Sequence, residues 1–90
     1  PAHFIKKLRR IYNTMEKLLK ILNELKPGID FETETDLIGR GILTSFDIIR
    51  LVAELNNEFD IEITPLHVVP ENFSSAKTIM SLIEKIEDED

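Results

Sequence analysis

Apolar side chains at Phe4, Leu8, Ile11, Met15, Leu18, Leu22 and Leu25 follow one another at spacings of four and three without a break. Steps of that size return to one face of an α-helix, and Ile5, Tyr12 and Leu19 widen the face. The spacing predicts a helix over about residues 3–26, ended by Lys26-Pro27-Gly28. A residue before proline disfavours helical angles, and the glycine permits the turn. A wide apolar face of this kind has to be covered by something, and the chain has little to offer except more helix. Asp60-Ile61-Glu62-Ile63 alternates as a strand does, yet a single four-residue segment has no partner to pair with and reads as an extended linker.

Two further amphipathic segments supply the cover. Ile48, Leu51, Val52, Leu55 and Phe59 predict a second helix over 45–59. Ile79, Leu82, Ile83 and Ile86, with Ala76 and Met80 alongside, predict a last helix capped by Ser74 or Ser75. Between them Pro65 starts a short helical turn that Pro70 ends. Residues 27–43 make a long first loop, anchored by Ile29, Phe31, Leu37, Ile38, Ile42 and Leu43, with Gly39 and Gly41 supplying unusual backbone angles. The fold class is all-α: a bundle of three main helices and one short one.

Composition limits what such a bundle can do. Ninety residues make one domain with little room for an enclosed cavity. The absence of cysteine excludes disulfides and thiolate metal sites and is compatible with a cytoplasmic location. A net charge of −6 argues against general nucleic-acid binding, which needs a clustered basic footprint. No apolar run approaches the roughly 18 residues of a membrane span. The acidic positions Asp30, Glu32, Glu34 and Asp36 lack the spacing of a calcium loop and read as a solvated face. His67 has no companion ligand and reads as a turn residue.

Charge is also unevenly spread. Residues 1–14 hold Lys6, Lys7, Arg9 and Arg10 and no acid, which leaves the remainder with 7 basic and 17 acidic residues, a balance of −10. Residues 1–14 read as an N-terminal extension, either helical and continuous with the first helix or an added or upstream segment, with Met15 a candidate start. As a basic, apolar helix it would dock on a partner, on another copy of the chain or on an anionic membrane surface. As a passive segment it would pack on the bundle or fray, as would the acidic tail from Glu87 at the opposite helix end.

The junction before the second helix carries the chemistry. Thr44 and Asp47 fit the capping pattern in which the threonine oxygen accepts a first-turn N–H and the acid reaches back. Ser45 then points outward beside free N–H groups, a setting that suits a phosphate or phosphodiester. Phe46, Asp47, Ile49, Arg50, Ala53, Glu54 and Asn57 form the more exposed face of this helix, with core packing as the alternative for Phe46 and Ile49. An activated serine nucleophile lacks a base, since the histidines are His3 and His67. A serine that receives a group from another enzyme needs none.

The run Leu37-Ile38-x-x-Gly41-Ile42-Leu43-x-Ser45-Phe46-Asp47, followed by Leu55-x-x-Glu58-Phe59-Asp60-Ile61-Glu62-Ile63 and Val69-Pro70-Glu71-Asn72-Phe73-Ser74-Ser75, resembles the acyl and peptidyl carrier proteins. The resemblance covers about residues 15–87 and implies a four-helix carrier-protein bundle there, with residues 88–90 as an acidic tail. It implies that Ser45 carries 4′-phosphopantetheine derived from coenzyme A, whose thiol holds an acyl or aminoacyl group as a thioester, and that the chain is not itself an enzyme. The implied partners are a phosphopantetheinyl transferase and the enzymes that load and unload the carrier, and the implied state is a monomer. Those partners would meet Thr44, Phe46, Asp47, Ile49, Arg50, Ala53 and Glu54, with Val68 beside the arm and Asp47, Glu54 and Glu58 supplying charge. The family commonly has an acid where this chain has Thr44, and acids before the loop glycine where it has Gly39 and Arg40. These departures point to a stand-alone carrier for an amino acid or secondary-metabolite unit, a D-alanyl carrier among the candidates. They also leave open a helical interaction module that keeps the fold without being modified.

Overall fold

A computed structural model describes residues 2–89, with side-chain surroundings for 4–89. Pro1 and Asp90, at the ends of the expected extension and acidic tail, lie outside the described residues, as does the side chain of His3. Three α-helices form the body: α1 (Ala2–Leu25), α2 (Ser45–Phe59) and α3 (Ala76–Glu89). The expected short helix is two 3-10 turns, Pro65–His67 and Pro70–Phe73, so Pro70 begins a second turn as well as closing the first. No strand occurs among the described residues.

Helix α1 packs against both α2 and α3, and the shared core holds Leu18, Leu22, Leu51, Leu55, Ile79 and Ile83, all fully buried. The long loop is fastened to this core by the buried side chains of Phe31, Leu37 and Leu43, and by the Leu37 N–H, which donates to the Ser74 carbonyl at 2.9 Å. Ser75 and Thr78 exchange N–H to hydroxyl bonds of 3.1 and 3.2 Å, which caps α3 as expected.

The alternating segment after α2 keeps its alternation without a partner strand: Ile61 and Ile63 are buried and Glu62 is exposed. Asn56 replaces the missing ladder. Its carbonyl accepts from the Ile61 N–H at 3.2 Å and its side-chain oxygen from the Ile63 N–H at 2.8 Å. Asp60 takes left-handed angles (φ 51°), which turns the chain out of α2.

Two expectations change at the far end of the bundle. The acidic tail remains helical through Glu89, because Arg10 of α1 reaches Glu87 and Asp88 at 3.4 and 3.3 Å and offsets charges that the helix dipole would otherwise oppose. The apolar stripe of α1, by contrast, outruns its cover: Phe4, Ile5, Leu8 and Tyr12 are 59, 55, 50 and 65% exposed. Leu22→Ala should therefore cost about 2–5 kcal/mol in urea denaturation, whereas Leu8→Ala should cost less than about 1 kcal/mol. Equal costs would mean that the core extends along the whole of α1.

Candidate functional site

The site is built on the first turn of α2. Thr44 is the N-cap in extended conformation (φ −89°, ψ 172°), and its hydroxyl oxygen accepts from the Asp47 N–H at 3.2 Å. Asp47 answers through Oδ2, which accepts from the Thr44 N–H at 2.9 Å and from the Thr44 hydroxyl at 3.0 Å. The capping box expected from the sequence is thus formed in full. A third donor was not foreseen. Lys26, one residue past the end of α1, places Nζ 3.1 Å from the same Oδ2.

Asp47 was expected on the exposed face with Ser45, ready to meet a basic partner. It is instead buried, because the cap turns its carboxylate inward against Thr44 and Lys26. The Thr44 N–H bond, more than any other contact, holds the Asp47 carboxyl below its ordinary value of 3.8, against burial, which pushes it up. The Lys26 ammonium adds to the lowering.

Around this buried anchor the other residues face solvent. Ser45 is the first residue of α2 and is exposed. Helix geometry leaves the N–H groups of Ser45 and Phe46 without an intrahelical acceptor, so the serine hydroxyl sits at a positively polarised surface. Phe46 and Ile49 are 66 and 69% exposed, which excludes core packing for both. Arg50, Ala53 and Glu54 are exposed on the same helix.

Val68, from the segment between the two 3-10 turns, joins Ile48, Ile49, Val52, Ile63 and Pro65 around an open apolar groove of about 440 Å³. Ile48 and Ile49 lie one helical turn beyond Ser45 and so share its side of α2. Four groove residues were not among the expected site residues: Ile48 and Val52 were read as core-facing on α2, and only the fold of the 60–69 segment brings Ile63 and Pro65 against that helix. His67 serves the turn itself: Nδ1 accepts from the Thr64 N–H at 2.9 Å.

Gly39 and Arg40 have structural explanations. The Gly39 N–H donates to Asp36 Oδ1 at 3.0 Å, and a Cβ at this position would run into the Asp36 carboxylate. Gly41 holds φ +71°, an angle costly for other residues. Arg40 forms an ion pair with Glu34, itself tied to the N–H groups of Thr35 and Asp36. Both residues therefore build the loop that delivers the chain to Thr44.

No group of His, Cys, Asp and Glu that would hold a metal ion occurs among the described residues, and none of their helices is long and apolar enough to cross a membrane. No protein-family model matches the chain. It is similar to Aminoacyl carrier protein 1 of Bradyrhizobium diazoefficiens, with 32% identity over 74 residues, which is 81% of this chain and 81% of that protein.

The lowered Asp47 value has a consequence for stability. Since the folded state favours the carboxylate, its contribution is present above the ordinary value of 3.8 and is lost as the pH falls through the lower folded value. Asp47→Asn should reduce stability at pH 7 by about 1 kcal/mol. In denaturation series the difference from wild type should close below that folded value, and a difference that stays constant down to pH 2 would contradict the assignment.

Proposed function

The chain belongs to the carrier-protein family, and on that premise we propose that it is a non-enzymatic carrier whose Ser45 bears 4′-phosphopantetheine and presents an acyl or aminoacyl group to other enzymes. The observation that carries the reading is the exposed Ser45 on a helix start whose capping carboxylate, Asp47, is already engaged. The residues present fit the group. A phosphodiester on Ser45 would meet the open N–H groups of the first turn rather than an unpaired negative charge. When bound, the group supplies a thiol on a flexible tether that holds the cargo as a thioester.

What the chain supplies is placement. The capping box and Lys26 fix the first turn of α2, so the backbone that carries Ser45 is held in place. Phe46 and Ile49 give a partner two apolar contacts beside the serine, and Arg50, Ala53 and Glu54 extend that contact along α2. The groove formed by Ile48, Ile49, Val52, Ile63, Pro65 and Val68 is apolar and open, suited to shield a small uncharged portion of arm or cargo. The name of the similar protein favours an aminoacyl cargo. The partners are a phosphopantetheinyl transferase and the enzymes that load and unload the carrier.

Incubation with coenzyme A, Mg²⁺ and a promiscuous phosphopantetheinyl transferase should add one phosphopantetheine mass to the wild type and none to Ser45→Ala. Absence of addition with several transferases would favour the unmodified interaction module instead. Phe46→Ser should leave the melting temperature within about 2 °C of wild type, since it removes an exposed side chain. The same substitution should lower the transferase kcat/KM about tenfold, a loss of roughly 1.4 kcal/mol of contact. Unchanged kinetics would remove Phe46 from the partner surface.

A further inference from the structure

The uncovered part of α1 has an internal pattern of its own. Ile5, Leu8, Tyr12, Met15 and Leu19 are spaced three, four, three and four residues apart, which is the seam of a two-stranded coiled coil. This seam shares Leu8 and Met15 with the core-facing stripe and runs along its edge: Leu18 and Leu22 are fully buried, Met15 and Leu19 are half-buried against the core, and Ile5, Leu8 and Tyr12 are at least half exposed. The C-terminal half of the seam opens into a groove of about 600 Å³ along α1, lined by Met15 and Leu19 and rimmed by three acids, Glu16, Glu24 and Glu32, against one base, Lys20. The N-terminal half is flanked by Lys6 and Arg9. One helix thus carries a basic apolar ridge at one end and an acidic apolar groove at the other.

We propose that this face is the interface of a homodimer in which the α1 helices of two copies pair antiparallel, the basic ridge of each lying in the acidic groove of the other. Helical register sets the layers. With the twofold axis between Tyr12 and Met15, Tyr12 lies opposite Met15 of the second copy and Leu8 opposite Leu19, and Ile5 closes each end of the seam. Arg9 and Glu16 occupy the same flanking position of successive heptads, so Arg9 of each copy faces Glu16 of the other, giving two symmetric ion pairs.

Among the described residues neither Arg9 nor Glu16 enters an ion pair within the chain, whereas Arg10, on the opposite side of α1, is engaged by Glu87 and Asp88. The Tyr12 hydroxyl donates to Glu16 Oε1 at 3.3 Å, which holds that carboxylate beside the seam. A parallel pair would instead bring Lys6, Lys7 and Arg9 of the two copies together. An anionic bilayer is a poorer occupant, because Glu16, Glu24 and Glu32 border the same apolar face and the chain outside residues 1–14 carries −10.

Five seam residues per copy make a small interface, so the dimer is weak, with a dissociation constant on the order of 10–100 µM. Ser45, Phe46, Ile49 and Val68 are not on the seam.

Sedimentation velocity of the full chain across that concentration range should show a monomer–dimer equilibrium. Leu8→Asp should abolish it while leaving the melting curve intact, since Leu8 is half exposed. Arg9→Glu and Glu16→Arg should each weaken association roughly tenfold, and the double exchange Arg9→Glu/Glu16→Arg should restore it to within about threefold. The chain has no native cysteine, so orientation can be read by oxidation. Tyr12→Cys should cross-link to Met15→Cys, and Leu8→Cys should link to Leu19→Cys but not to a second Leu8→Cys. A monomer at every concentration, dimers that survive Leu8→Asp, failure of the double exchange to restore association, or self-linking of Leu8→Cys would overturn the proposal. So would capture of the chain by phosphatidylserine vesicles with no dimer formed in their absence.

Discussion

The Asp47 carboxylate joins two parts of the chain that local sequence would leave independent. One oxygen accepts from the backbone and hydroxyl of Thr44 and lies 3.1 Å from the Lys26 ammonium. The end of α1 is thereby tied to the start of α2 across the whole 27–43 loop. A carboxylate this buried is tolerated because each demand of its charge is met: two hydrogen bonds, a cation, and the dipole of the helix it caps. Removing any of these donors leaves part of that charge uncompensated.

The same arrangement determines what the surface presents. With the negative charge drawn inside, the exposed end of α2 keeps its positive polarisation, and Ser45 sits on it. Apolar groups follow at Phe46 and Ile49, and the 60–69 segment, fastened by Asn56, brings Ile63, Pro65 and Val68 against the flank of α2. The loop residues that differ from the family pattern belong to this construction. Gly39 makes room for the Asp36 carboxylate, Arg40 is held by Glu34, and Thr44 is the cap. These positions have local structural causes.

Much of the architecture was legible because it is local. Periodicity placed α1 and α2 to within a residue or two and the start of α3 at its serine cap, and the Thr44–Asp47 spacing announced the capping box, since both partners lie within one turn. The failures share a physical origin in contacts between residues remote in sequence. Lys26 was read only as part of the stop that ends α1, and nothing in a helical wheel announces that it meets an acid 21 positions later. A wheel also puts Asp47 on the outer face, but a capping side chain folds back over its own N-terminus. Arg10 rescues the acidic end of α3 from 77 residues away. The apolar stripe of α1 was read correctly as helix, while its length beyond the core became visible only once the other helices were in place.

Carboxyl ¹³C chemical shifts followed against pH in the intact protein test the central interaction directly. The Asp47 resonance should titrate below the ordinary value of 3.8, with the Thr44 amide proton shifting in the same pH range. Titration at or above the ordinary value, with no response at Thr44, would mean that the carboxylate does not anchor the first turn of α2, and the account of how Ser45 is presented would fail with it.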